Sequence, residues 1–244
     1  MNIAIVFAGG SGIRMGSAVP KQFIEIDGVP ILALTLGIFQ RHSQIDGIYL
    51  VGNPAYRNET RDVVERYGIS KVRRIVDGGA SAQDSIYNGL KAVAEDLPGE
   101  TIVILHDGVR PYLDPLVINA NIESVRLHGN AVTFTPCFET LVISKNGETI
   151  SDIPFRRESY SAQAPQSFRL SDILSAHERI RMTQSGYADM VDQATIYWKL
   201  GIPIHLVKGN RGNIKVTTPE DVYMLRALME YRKDRSNGRM RYDN

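Results

Sequence analysis

The sequence predicts an α/β fold: a mostly parallel sheet covered by helices on both faces. Three observations predict it. Short apolar runs rich in branched residues alternate with longer segments of helical periodicity. Turn residues bound each run, and the first run opens directly into a glycine-rich loop. Strands buried on both faces read as continuous apolar runs, and the crossovers between parallel strands are right-handed almost without exception, which leaves few topologies.

The elements follow in order. Strands are expected at Ile3–Phe7, Gly47–Val51, Val72–Val76, Ile102–Leu105 and Ala131–Thr135. Between them helices are expected near 30–41, 55–67, 82–95 and 114–127; in the third, Ile86, Leu90 and Val93 share one face. The alternation then breaks. Asn146-Gly147 lies between two extended segments in 140–155, a strong hairpin signal because both residues tolerate positive φ. An isolated hairpin is marginal in water, so this one needs something to pack against. Helices resume near 170–183 and 189–200, followed by a strand at Ile204–Val207. The last helix begins at Thr218-Pro219-Glu220-Asp221, with Thr218 as N-cap, Pro219 in the first turn and Asp221 closing a capping box. Val222, Leu225 and Met229 make its buried face. One domain over 1–230 is expected, with an arm at 137–158 and a polar, flexible tail at 231–244.

Composition narrows the function. The chain has 244 residues, 43% hydrophobic, enough to bury a core. Its formal net charge is +1, so nothing asks for a nucleic-acid partner. No apolar run approaches a membrane span. The single cysteine, Cys137, excludes an intrachain disulfide, and no basic leader precedes the first apolar run. Together these lead us to expect a cytoplasmic protein.

The first strand runs into Ala8-Gly9-Gly10-Ser11-Gly12-Ile13-Arg14-Met15-Gly16, then Pro20-Lys21-Gln22-Phe23. Glycines let a backbone approach phosphate closely and leave its N–H groups pointing inward. Arg14 and Lys21 add two cations, which suits a triphosphate better than the pyrophosphate of a dinucleotide. A purely structural glycine turn is the plainer alternative. The fourth strand ends in His106-Asp107-Gly108-Val109-Arg110-Pro111. Ligands of open α/β sheets gather beyond the carboxyl ends of the strands, so Asp107 shares an edge with the glycine loop. It could hold Mg²⁺ against phosphate oxygens or merely cap a turn. His106 is expected to be a hydrogen-bonded structural residue. Asp77–Ser85 opens the third helix and could read a base through its backbone and the Ser85 hydroxyl, or could be an ordinary capped loop. Lys215, ahead of the last helix, is either a third phosphate cation or a solvated lysine.

These stretches, with Ala-Pro-Gln-Ser-Phe at 164–168 and Asn-Ile-Lys-Val-Thr-Thr-Pro-Glu-Asp at 213–221, form five motifs in one order over residues 2 to about 230. In them the chain resembles the cytidylyltransferases that act on 2-C-methylerythritol 4-phosphate and on ribitol 5-phosphate. The resemblance implies a Rossmann-like three-layer α/β/α nucleotidyltransferase domain whose projecting β-hairpin arm interlocks with a partner in a homodimer. It implies CTP, a polyol phosphate acceptor and Mg²⁺. By motif position, Arg14, Lys21 and Lys215 surround the triphosphate, and Asp107 binds the metal. Ala8, Gly9, Gly10 and Gly12 line the phosphate loop, and Gly79, Ala80 and Ser85 fall where cytidine is read. Arg110, Thr140 and Arg156 fall where the acceptor is held, the last two on the neighbour's arm; Arg157 is the adjacent alternative to Arg156. Ala164, where methylerythritol enzymes carry threonine, and Val191-Asp192-Gln193-Ala194-Thr195, where they carry Thr-Asp before Ala-Ser, lean toward ribitol 5-phosphate. Lys208 stands where an acidic residue is common in both branches. The methylerythritol acceptor and other polyol phosphates stay open.

Rival classes make different demands. A nicotinamide-dependent dehydrogenase wants a carboxylate ending the second strand, which here ends Leu50-Val51-Gly52-Asn53. A non-catalytic nucleotide sensor would need neither Asp107 nor three cations. A transferase using UTP or another base would look the same at Gly79 and Ala80.

Overall fold

The structure is a computed structural model and describes residues 1–10, 19–183, 187 and 190–236. Nine strands and seven helices are described. All five strands expected early in the chain form: β1 (Asn2–Ala8), β4 (Gly47–Gly52), β5 (Val72–Asp77), β6 (Ile102–Asp107) and β7 (Asn130–Pro136). So do α1 (Ile31–Arg41), α2 (Arg57–Arg66), α3 (Ala82–Asp96), α4 (Pro115–His128), α5 (Leu170–Met182), α6 (Gln193–Lys199) and α7 (Pro219–Ser236). A small hairpin, β2 (Glu25–Ile26) and β3 (Val29–Pro30), turns at Asp27-Gly28. That dipeptide is a hairpin signal the sequence analysis passed over.

Seven strands make one sheet in the order β5-β4-β1-β6-β8-β7-β9, with β8 at Tyr160–Arg169 and β9 at Leu206–Lys208. β1 pairs in parallel with both β4 and β6. The chain therefore steps outward from β1 through β4 and β5, then returns to the other side of β1. That reversal opens a crevice between the carboxyl ends of β1 and β6, where ligands of such sheets bind.

Alternate residues along each strand serve opposite layers. Ala4 and Val6 pack under α1, α2 and α4. Ile3 and Ile5 pack under α3, α5 and α6. A third cluster joins Val222 and Leu225 of α7 to Ile26, Val109, Tyr112 and Val216, which seats the last helix beside the crevice.

β8 was not expected as a strand. It is polar and contains Pro165, yet it runs antiparallel between β6 and β7. A proline has no N–H for a ladder, and both ladders yield around it: pairing with β6 ends at Gln166, and pairing with β7 shifts register between Val132 and Phe134. The two buried polar side chains, Gln166 and Ser167, each find a partner. Ser167 Oγ donates to Asn121 Oδ1 at 3.0 Å, and Gln166 Nε2 donates to Asp192 Oδ2 at 2.8 Å.

The arm departs from expectation. Between Pro136 and Tyr160 the two extended segments meet at a single antiparallel bridge, Ile143 to Asp152, rather than a hairpin ladder. The Asn146-Gly147 turn does form: Asn146 Oδ1 accepts from the backbone of Glu148 and Thr149, each at 3.0 Å, and Gly147 has φ +78°. Phe138, Val142, Ile143, Ile150, Ile153 and Phe155 are exposed along the arm, so the described residues offer no core for these segments to rest on. The expected boundary at 230 also moves. α7 runs on to Ser236, with Arg232 over the Tyr112 ring and Lys233 paired with Asp27. At its start the acidic half of the capping box forms, Asp221 Oδ2 accepting from Thr217 N at 2.7 Å and Thr218 N at 2.8 Å.

Candidate active site

The crevice is built by four loops. The first leaves β1 at Ala8. Gly9 and Gly10 are exposed at its start; Gly12 and Arg14 lie outside the described residues. The chain re-enters at a 3-10 turn, Lys21–Phe23. Buried Gln22 fixes that turn by donating from Nε2 to Ala8 O at 3.0 Å. Lys21 is thereby laid over the glycines: a Cβ on Gly10 would stand 3.1 Å from Lys21 Cε and 3.7 Å from Nζ. Gly10 and Lys21 thus lie together at the end of β1.

The second loop follows β6. Gly108 N donates to Phe7 O at 2.8 Å, Thr35 Oγ1 donates to Gly108 O at 3.0 Å, and Arg110 N closes the turn onto Asp107 O at 3.1 Å. His106, buried beneath, has Nε2 at 3.1 Å from Arg110 O. A carbonyl only accepts, so Nε2 carries a proton and donates it to Arg110 O. Burial pulls this imidazole down to about 4. His106 is thus the structural brace expected of it.

The third segment, 213–216, is strapped to that turn. Val216 N donates to Val109 O at 3.0 Å, and Arg110 Nη1 donates to Asn213 O at 2.7 Å. Asn213 is itself anchored, its Nδ2 donating to Ala164 O at 2.6 Å. Asp107 therefore sits between two cations: Oδ2 at 2.8 Å from Arg110 Nε and Oδ1 at 2.8 Å from Lys215 Nζ. Burial alone would raise its carboxyl, but Lys215 and Arg110 outweigh burial and hold it well below the usual carboxylate range. The Asp107 side chain is 24% exposed, Arg110 14% and Lys215 43%. Arg110, expected to touch the acceptor, has its guanidinium on Asp107 and Asn213 and acts here as a brace. Lys215 is the most exposed member of the trio.

The fourth loop, after β5, carries Gly79 and Ala80 exposed at its tip. Ser85 does not face outward with its one proton. Its Oγ donates to Ser81 O at 3.0 Å and accepts from Gly79 N at 3.0 Å, so it shapes the loop. Ser81 caps α3, accepting from Asp84 N at 3.0 Å. Glycine at 79 is forced by crowding: a Cβ there would stand 2.9 Å from the Asp84 carbonyl carbon. The helix cap and the loop are therefore one arrangement, with the backbone of Gly79 and Ala80 left exposed at the tip.

The arm leaves β7 and returns to β8 at the same edge of the sheet. Thr140 and Arg156 are exposed on it. Among the described residues neither hydrogen-bonds or pairs with Lys21, Asp107 or Lys215. Arg157 is engaged with Glu158 at 3.1 Å and lies over the Phe155 ring, whereas the Arg156 side chain has no such partner among the described residues. Gln22 and Asn213 are positioning residues not among the expected site residues; Gln22 adjoins Lys21, and Asn213 stands two residues before Lys215.

Residues fit for a divalent ion can be judged from Asp107. Among the described residues no three or more His, Cys, Asp or Glu side chains gather. Asp107 offers a single carboxylate at the crevice mouth, the kind of donor Mg²⁺ takes when phosphate oxygens complete its shell, and its Oδ1 is paired here with the half-exposed Lys215.

A lysine over a glycine at the end of β1, beside a carboxylate flanked by cations at the end of β6, fits a nucleotidyltransferase, and the comparisons with known proteins show that class. Which nucleotidyltransferase follows from comparison with known proteins: the chain belongs to the IspD family, 2-C-methyl-D-erythritol 4-phosphate cytidylyltransferase, whose model matches residues 2–231. It uses CTP, as that family does. The ribitol-5-phosphate cytidylyltransferase of Streptococcus agalactiae serotype V is 41% identical, with 96% of this chain and 97% of the relative covered. The 2-C-methyl-D-erythritol 4-phosphate cytidylyltransferase of Geobacillus kaustophilus is 37% identical, covering 94% and 97%. Among solved structures, 4-diphosphocytidyl-2C-methyl-D-erythritol synthase from Anaerococcus prevotii superposes with a TM-score of 0.80 at 27% identity, covering 94% of this chain and 96% of that one. No described helix is long and apolar enough to cross a membrane.

Proposed function

We propose that this enzyme transfers CMP from CTP to D-ribitol 5-phosphate, giving CDP-ribitol and pyrophosphate, as a cytoplasmic homodimer. The observation that carries the chemistry is Asp107 held between Arg110 and Lys215 at the end of β6, next to the end of β1 that leads into Gly10 and Lys21. The choice of acceptor is supported by the ribitol-5-phosphate relative and by Ala164 and Val191.

The acceptor phosphate attacks the α-phosphorus in line; one P–O bond forms, and the bond to the bridging oxygen of the β-phosphate breaks. No protein nucleophile is needed, because a phosphate monoester is already one. Lys21, with Arg14 from the same loop, bears on the triphosphate. Lys215 leaves Asp107 for a phosphate oxygen, while Arg110 keeps the aspartate in place. Mg²⁺ held by Asp107 would neutralise charge on the α-phosphate and the leaving pyrophosphate. The backbone of Gly79 and Ala80 takes the cytosine edge. Thr140 and Arg156 reach the acceptor of the neighbouring subunit, and the exposed apolar row of the arm supports that exchange because a partner would cover it.

Pyrophosphate release with CTP and Mg²⁺ tests this, comparing ribitol 5-phosphate with 2-C-methylerythritol 4-phosphate in parallel. Release with ribitol 5-phosphate alone is expected. Release with the methylerythritol substrate alone would assign the acceptor that gives the family its name and remove Ala164 and Val191 as markers.

A further inference from the structure

Arg181 lies on α5, outside every motif of the site, yet it is wired to the nucleotide loop. Its Nη1 stands 2.8 Å from Asp84 Oδ1. The other oxygen of Asp84 accepts from Ser81 Oγ at 2.8 Å, and Asp84 N donates to that same hydroxyl at 3.0 Å. Ser81 O accepts from Ser85 Oγ, which in turn accepts from Gly79 N. Apart from Gly78 N on Gly52 O at 2.8 Å, the hydrogen bonds that hold the 78–81 backbone among the described residues come from the first turn of α3. The position of that turn is thus the position of the loop.

The guanidinium is itself fixed. It lies 4.5 Å from the centroid of Tyr87 and 4.8 Å from that of Tyr187. Tyr187 is anchored from below: its hydroxyl donates to Gln83 O at 2.9 Å and sits 2.8 Å from His177 Nδ1. With side chains 40% and 31% exposed, the Arg181–Asp84 pair would contribute little to stability alone. Two aromatic faces change its role by removing the freedom of the arginine. What it controls is geometry, and small displacements of a binding loop weigh heavily on ligand affinity.

We propose that Arg181 is a positioning residue for the nucleotide: through Asp84 and Ser81 it holds the 78–81 loop in the shape that takes the cytidine. This rests on the cytidine-binding role given above to that loop. Arg181 need not touch CTP to do so, and it lies with α5 rather than with the acceptor arm.

The test uses the full-length enzyme as wild type, Arg181→Ala, Arg181→Lys, Asp84→Asn and the Arg181→Ala/Asp84→Asn double variant. CTP affinity is measured by calorimetry with Mg²⁺ and no acceptor, alongside KM for each substrate, kcat and thermal melting. Arg181→Ala is expected to weaken CTP binding and raise the CTP KM by about five- to tenfold, equivalent to about 1 kcal/mol. Acceptor KM, and kcat at saturating CTP, should stay within about twofold. Arg181→Lys should recover part of the loss, because it keeps the charge but not the planar stacking. The double variant should be no worse than the worse single, since both act through one contact. Wild-type binding of CTP with unchanged affinity in Arg181→Ala would overturn the proposal while leaving the loop's role intact. So would a loss spread equally over both substrates and the melting temperature. A wild type that does not bind CTP would remove the proposal together with the cytidine role beneath it.

Discussion

His106 offers a test of how the site is supported. Its imidazole is buried and neutral, with Nε2–H on Arg110 O and the ring edge-on to Phe39 at 5.3 Å. Burial lowers it from 6.5 to about 4, so the folded state binds fewer protons than the unfolded chain between those values. Stability contributed by the neutral form is complete above the unfolded value and is lost as pH falls toward the folded one. Linkage across that shift gives a loss of about 2 kcal/mol between pH 7 and pH 5. His177, also lowered to about 4 by burial and then by Arg181, should contribute a similar loss of about 2 kcal/mol. Asp107 lies too far below this window to contribute. Urea unfolding at pH 7 and pH 5, for wild type, His106→Gln and His106→Gln/His177→Asn, measures the effect. Glutamine can keep the donor to Arg110 O without titrating. The pH-dependent loss should shrink by about half in the single variant and mostly vanish in the double. A His106→Gln protein with the full wild-type loss would refute the buried neutral ring.

Other perturbations probe the chemistry directly. Asp107→Asn removes the charge between Arg110 and Lys215 and should lower kcat by about 10³-fold, with a stability loss of about 1–3 kcal/mol from the uncompensated arginine; steady-state rates and melts at a series of Mg²⁺ concentrations would show it. Lys21→Ala should lower kcat by about 10²-fold or more, and near-normal turnover would remove it from the site. Gly79→Ala pushes a methyl against the Asp84 backbone and should raise the CTP KM by about tenfold while sparing the acceptor KM. Mixed dimers of Arg156→Ala and Lys21→Ala chains should regain activity that neither parent has, whereas inactive mixed dimers would argue against a site shared between subunits.

The polar strand β8 separates local pattern from tertiary context. Strands β1, β4, β6 and β7 were legible because each is an apolar run bounded by turns and is buried where it pairs, whereas the edge strand β5 carries Arg73 and Arg74 and is only half-buried, its branched residues alone marking it. β8 carries no such pattern. Tyr160–Arg169 is mostly polar, and only the partners provided by Asn121, Thr133 and Asp192 make its burial tolerable. The arm shows the converse. Asn146-Gly147 states a turn locally, but a ladder also needs a surface to pack on, and the described residues supply none.

The sequence by itself determined the layered α/β fold, the glycine loop at the end of the first strand and Asp107 at the end of the fourth expected one. Periodicity and turn chemistry are local properties, and the carboxyl ends of parallel strands share an edge by geometry alone. The tertiary structure decided which distant groups meet. Arg110 braces Asp107 and reaches Asn213, 103 residues away, and Lys215 joins the same carboxylate. Arg181 reaches Asp84 across 97 residues. Whether a lysine is a site cation or a solvated one, and whether a serine reads a base or shapes a loop, depends on what packing brings within about 3 Å of it. No pattern along the chain carries that distance.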